Sequence, residues 1–380
     1  MIYFDNSATT QINEDVLQTF IEVSRNVNAN PSSMHILGDQ AASLMQQSRM
    51  QIASLLNVTP QEIYFTSGGT EGDNWAIKGT AIEKKNYGKH IITSTVEHSA
   101  VSDSINQLEQ FGFEVTYLPV NKKGIVSVDD LRKAIRPDTI LVSIMAVNNE
   151  VGSIQPIEKI GEVLQDYPTI HFHVDAVQAI GKVPLFLGPN SRIDIAVFSS
   201  HKFHGPKGSG FIYLKKGRKI APLLNGGGQE SNGRSGTENV AGIAATGKAL
   251  RLALTDVCAK QGKQRDIKDY LTNELKNYSK VTLFSTAAGT PHILCFALKG
   301  IRGEVLLHAF ESEGIYISTT SACSSRKKIR SGTLSAMRIP DSVAVNAVRV
   351  SFSDTNNMEE AKRFMEIFEI LYKKFQVVNA

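Results

Sequence analysis

The chain has 380 residues, 42% of them hydrophobic and 21% charged, and carries a net charge of +4. That is enough apolar chain for a sizeable core in two or three structural units, and so slight a basic excess calls for neither a nucleic-acid partner nor a membrane surface. Three cysteines, Cys258, Cys295 and Cys323, cannot all pair and form no C-x-x-C, which disfavours a disulfide framework and a thiolate zinc site. A reducing compartment fits this usage. The N-terminus, MIYFDNSATT, shows no basic start followed by an apolar run, and no apolar stretch reaches bilayer length. A soluble cytoplasmic protein is the expectation.

In chain order, an amphipathic helix is expected over 41–56, then strands at 62–67, 89–95 and 114–120, and a helix over 126–135. Further strands are expected at 139–147, 170–176, 193–200 and 210–216. They are rich in Val, Ile, Phe and Tyr, and ILVSIMAV is apolar nearly throughout, which suits strands buried on both faces. Alternation of such strands with helices predicts an α/β unit around a largely parallel sheet. Residues 238–280 read as one long helix. After it come strands at 291–299, 315–320 and 347–353 and a closing helix over 358–375, a smaller α+β unit. The division is placed at 1–255 for the large unit, including the N-terminal segment, and 256–380 for the small one.

Four segments carry chemistry. In FTSGGTEGDN a strand runs into glycines and a helix start, whose bare N–H groups can hold an anion or make an ordinary turn. It is neither G-x-G-x-x-G nor a P-loop, so a dinucleotide or triphosphate site is disfavoured. In FHVDAVQAIGK, Asp175 falls at the end of an apolar strand, where α/β sheets bind ligands, and where an Asp also serves as a helix cap. The loop SSHKFHGPKG leaves a buried-looking strand and holds Lys202 and Lys207; a desolvated lysine there suits a Schiff base, and the residues alone do not choose between the two. His201 and His204 have no carboxylate or cysteine nearby in the sequence to complete a metal site. In STTSACSSRKKIR, Cys323 sits among small polar residues with basic residues after it, the setting of a reactive thiolate, whereas Cys258 and Cys295 read as packing residues. The basic run 326–330 reads as a solvated loop that can also dock an acidic partner. The loop 226–239 is Gly-rich and polar, either a plain turn or an arm that reaches a ligand. Arg349, inside an apolar strand, needs an anion, structural or substrate.

Together these segments resemble the cysteine desulfurases of the NifS/IscS type, in the class V aminotransferase group of fold-type I pyridoxal-phosphate enzymes. The resemblance runs nearly end to end and in order: YFDNSATT, NANPSSMH, FTSGGTEGDN, TVEHSAV, NNEVGSIQPI, HVDAVQAIGK, SSHKFHGPKG, GGGQESNGRSGTEN, SACSS and AVRVSFS. It implies a large domain with a mostly parallel seven-stranded sheet, a smaller C-terminal domain, and pyridoxal 5'-phosphate as cofactor. Lys202 would carry the cofactor, which resolves the tie with Lys207. Gly69, Thr70, Ser199 and His201 would hold its phosphate, and Thr237 that of a partner subunit in a homodimer. His98 would stack on the ring, Asp175 would pair with the ring nitrogen, and Gln178 would bond the ring oxygen. Asn149 and Arg349 would hold the carboxylate of L-cysteine. Cys323 would take its sulfur as a persulfide for a protein acceptor in iron–sulfur cluster assembly or tRNA thiolation, with transient cluster ligation by Cys323 as a further role. A selenocysteine lyase or a class V aminotransferase is the alternative on the same fold. The chain departs from the pattern at Ser200, Thr320, Ser353 and NSATT, which leaves loop mobility and acceptor choice open.

Overall fold

The computed structural model describes residues 1–320 and 332–378. Strand β1 (Ile2–Tyr3) is followed by helices α1 (Glu14–Asn26) and α2 (Ile36–Leu55), then β2 (Ile63–Thr66), α3 (Gly69–Lys84), β3 (His90–Ser94) and α4 (Ser99–Gln110). Next come β4 (Glu114–Leu118), α5 (Val128–Ala134), β5 (Thr139–Ser143), α6 (Ile157–Leu164), β6 (His171–Asp175), β7 (Ile195–Ser199) and β8 (Gly210–Leu214). Helices α7 (Val240–Leu254) and α8 (Val257–Leu275) lead to β9 (Val281–Leu283), β10 (Ile293–Leu298), α9 (Gly303–Glu311), β11 (Ile315–Tyr316) and β12 (Ser318–Thr319). Helices α10 (Gly332–Ala336) and α11 (Asp341–Ala344), β13 (Ala347–Ser351) and α12 (Met358–Val378) complete the described chain.

Strands β2 to β8 form one seven-stranded sheet in the order β2-β8-β7-β6-β5-β3-β4. Every pairing from β7 to β4 is parallel, and only β8 runs against its neighbours. Strands β3, β5, β6, β7 and β8 are buried along their whole length, as their continuous apolar runs require between two layers of helices. The α/β class with a mostly parallel seven-stranded sheet is thus observed. Strand β5 stops at Ser143, short of the expected 147, yet Ile144 and Ala146 still donate to the carbonyls of His173 and Asp175.

The long helix expected over 238–280 is two helices. Asp256 adopts φ 53°, ψ 37°, a left-handed conformation that Asp tolerates better than most residues and that no continuous helix permits. A second sheet, β12-β13-β10-β9, is antiparallel throughout. Strand β1 pairs in parallel with β11, and Phe4 is buried among Leu294, Phe352 and Phe364 of the C-terminal half. The first residues, grouped with the large unit by chain order, are therefore packed against the smaller sheet, because their apolar side chains find cover there.

Candidate active site

Strands β2, β3, β5, β6 and β7 point their C-terminal ends to one edge of the sheet, where ligands of open α/β folds bind. A cavity of about 260 Å³ opens there. Gly69, Thr70, His98, Asn149, Asp175, Gln178, Ser199, His201, Lys202 and Arg349 all line it.

Beyond Ser199 at the end of β7, a single 3-10 turn, Ser200–Lys202, swings the lysine into the cavity. Its Nζ donates to the carbonyl oxygens of Ser7 (2.6 Å) and Ala8 (2.8 Å). Lys207 is exposed and lies outside the cavity. The turn is braced by Thr10, which donates from both its backbone N–H and its hydroxyl to the His201 carbonyl. Burial and the charges of Lys202 and Lys207 push the His201 imidazole down to about 4, so the ring is neutral near pH 7. The unexpected Ser200 hydroxyl is satisfied, accepting from Thr246 Oγ1 at 3.1 Å. Ser353 is likewise bonded, and neither its φ nor that of Thr320 is positive, so no glycine is required at either place.

Helix α3 begins at Gly69 with Gly68 as its cap residue, at φ 146°, and among the described residues no side chain caps its N-terminus. Its first N–H groups are left for a ligand, with the helix dipole behind them. The helix sits tight against the strand ends: a Cβ on Gly69 would lie 2.8 Å from Val177 Cγ2. Ser199, Thr70 and His201 also line the cavity.

The floor of the cavity is acidic. Asp175, the last residue of β6, accepts from the Val177 N–H at 3.0 Å; burial raises its pKa, opposed by His98 and Lys202. Asp73, on α3, also lines the cavity, and burial next to Asp175 and Glu97 holds its pKa well above the usual carboxylate range. Burial lifts Glu97 to about 8, against hydrogen bonds from Ser94 and from the Met145 N–H. His173 Nε2 is 3.4 Å from Asp73 Oδ1, and its Nδ1 is 2.8 Å from Ser143 Oγ. Burial pushes His173 down to about 3. His98 caps α4, its Nδ1 accepting from the Ala100 N–H at 3.1 Å.

Arg349, on β13, reaches the same cavity from the second sheet. It donates to Asp5 Oδ1 at 2.8 Å and to the Asn149 carbonyl at 3.0 Å, while its buried Nε has no partner among the described residues. Its anion in the chain is therefore structural, with one donor left over. Thr237 is exposed and does not line the cavity. Its loop is anchored by bidentate pairs, Arg49 with Glu230 and Arg234 with Glu71. Cys323 and the basic run 326–330 lie outside the described residues; Cys258 is exposed and Cys295 buried, with burial raising the Cys295 thiol. The fold brings Asp354 to 3.0 Å from His204, a carboxylate that sequence proximity could not supply. Among the described residues no group of three potential ligands gathers there. Sequence reasoning missed Asp5, Ser7, Ala8, Asp73, Glu97 and His292. The first five lie inside motifs that were matched but given no roles, and His292 had no signal at all.

A family model described as aminotransferase class-V matches residues 2–364. The chain belongs to the aminotransferase class-V family. Among class-V relatives, a "NifS/IcsS protein homolog" of Lactobacillus delbrueckii subsp. bulgaricus is 54% identical over 100% of this chain and 99% of its own. A cysteine desulfurase IscS of Methanosarcina thermophila is 43% identical over 99% of this chain and 93% of its own. The solved structure of a NifS-like protein superposes with a TM-score of 0.92 at 38% identity, covering 97% of this chain and 99% of that one. This class-V chain thus shares its whole described fold with NifS-like proteins.

Proposed function

We propose that this class-V protein is a cysteine desulfurase, which uses pyridoxal phosphate on Lys202 to pass the sulfur of L-cysteine to Cys323 and releases L-alanine. The observation that carries the reading is the convergence of Lys202, Asp175 and the uncapped N-terminus of α3 on one cavity. An amine, a buried carboxylate and an anion cradle fit the aldehyde, ring nitrogen and phosphate of that cofactor. The close approach of Gly69 to Val177 supports the fit, because only glycine lets the cradle come so near the strand ends.

When bound, the cofactor supplies an electron sink for the pair left as a proton departs from the substrate Cα. Lys202, released from the carbonyls of Ser7 and Ala8, is the base placed for that proton. Asp175, whose pKa burial raises while the charges of His98 and Lys202 oppose the shift, would pair with the ring nitrogen and hold its proton there. Arg349 Nε, buried without a partner among the described residues, and Asn149 would take the substrate carboxylate. The Cys323 thiolate then attacks the substrate sulfur: an S–S bond forms, the C–S bond breaks, and its electron pair, with a proton, makes the methyl group of alanine. The persulfide would pass to a protein acceptor in iron–sulfur cluster assembly or tRNA thiolation, which suits the reducing cytoplasm. Exposed Thr237, on its doubly anchored loop, would reach the phosphate of a second copy in a homodimer. A solved relative titled "SspA in complex with cysteine", 32% identical over 93% of this chain with a TM-score of 0.82, adds support for the substrate.

The test is turnover of L-cysteine by the cofactor-loaded protein, with alanine and sulfide both measured. The wild type should form both, and Cys323→Ala should keep the visible cofactor band while losing both products. Undiminished sulfide release by Cys323→Ala would sink the reading.

A further inference from the structure

Gln178 is held from two sides, and the chemistry of its partners fixes every proton between them. Its Nε2 donates to the Ser7 carbonyl at 2.9 Å, an oxygen that only accepts, so the amide cannot be turned over. Its Oε1 lies 3.2 Å from His292 Nε2. An amide oxygen only accepts as well, so His292 must carry its hydrogen on Nε2. Its Nδ1 lies 2.6 Å from Thr290 Oγ1. The ring is neutral, because burial and the charges of Lys182, Lys268, Arg349 and Lys202 hold its pKa well below the ordinary value. In a neutral ring protonated at Nε2, Nδ1 accepts, and Thr290 is the donor.

This relay is anchored along its length. Thr290 donates its N–H to the Gly152 carbonyl, and its own carbonyl accepts from Lys268 Nζ at 2.8 Å. The His292 carbonyl accepts from the Phe352 N–H. Thr290, His292 and Gln178 are all buried, so water does not compete for these bonds. Gln178 lines the cavity, and its Nε2 has two hydrogens, of which Ser7 takes one.

We propose that His292, held as the Nε2–H tautomer with Thr290 donating to its Nδ1, is the positioning residue that fixes the Gln178 amide so that its second N–H serves the ring oxygen of the cofactor. The proposal rests on the reading of the cavity as a pyridoxal-phosphate site. A buried histidine satisfied by its neighbours is also an ordinary packing element, so the test must read an effect transmitted through Gln178.

A donor to the ring oxygen favours the state in which that oxygen carries most negative charge, which is the state after the Lys202–cofactor linkage has lost its proton. The pH midpoint of the visible band of the loaded enzyme reports this directly. His292→Ala should raise the midpoint by about half a unit to one unit, the size of part of a charge-assisted hydrogen bond. The same change made in Gln178→Ala should not move the midpoint further. Thr290→Val, which keeps the side-chain shape and removes the hydroxyl, should shift it in the same direction, and it decides the matter if His292→Ala takes up no cofactor. An unmoved midpoint in the deciding variant, or an equal shift with and without Gln178, would overturn the proposal. A wild type that forms no visible band at any pH would instead defeat the cofactor reading itself.

Discussion

Three carboxyl groups are buried near one another, Asp73 and Asp175 in the wall of the cavity and Glu97 beside them, and like charges so placed cannot all ionise. Asp175 has His98 and Lys202 to favour its charge. Among the described residues Glu97 has Ser94 and a main-chain N–H on one oxygen, and its other oxygen is buried without a partner, which disfavours charge there. Its folded pKa of about 8 stands above the ordinary 4.5. Between those values the folded state keeps a proton that the unfolded state has lost, so stability falls as pH rises across that window and levels off above it. Asp73 and Asp175 are shifted the same way and add to the slope. Glu97→Gln should therefore flatten the decline of the urea midpoint between pH 4.5 and about 8. A slope identical to wild type would show that Glu97 is ionised in the fold.

At the scale of elements, α3 joins the anion cradle to the sheet, and its glycines make the joint. Gly72 faces β7 so closely that a Cβ there would lie 2.6 Å from Val197 Cγ1 and 3.1 Å from Ile212 Cγ2. Both neighbours are β-branched and buried, so neither can swing away. Gly72→Ala should cost about 1–3 kcal/mol by overpacking, despite alanine's better helix propensity. Equilibrium unfolding measures this, and a stabilised variant would contradict the packing argument. The same closeness explains what was legible in the sequence. Strands β5 and β7 announced themselves, since a strand covered on both faces must be apolar at nearly every position. The division between α7 and α8 did not, because one Asp within an otherwise helical run, with no Gly or Pro beside it, is no stop signal by itself. Strands β1 and β9, at two and three residues, are too short for any period to register.

At the scale of the whole molecule, the N-terminal segment ties the parts of the site together. Phe4 packs edge-on against Phe352 with ring centres 5.2 Å apart, Asp5 pairs with Arg349, and Ser7 receives both Lys202 and Gln178. Lys202 and Ser7 are 195 positions apart, so local sequence chemistry could nominate the lysine but not the carbonyls that hold it. Arg349 was legible as a charge needing an anion, whereas Asp5 as that anion was not, because it is the bridge of Asp5 to Ser351 on β13, far away in the sequence, that brings it there. The ordered motifs carried the rest of the candidate site, and among the described residues the fold gathers all of it except Thr237. The central claim is that sulfur moves from cysteine to Cys323. It is tested most directly by mass spectrometry of peptides from the cofactor-loaded protein after brief exposure to L-cysteine without reductant. One added sulfur atom on the peptide containing Cys323, and none on those containing Cys258 or Cys295, is the predicted result. Sulfur on Cys258, or alanine formed with Cys323 unmodified throughout, would contradict it.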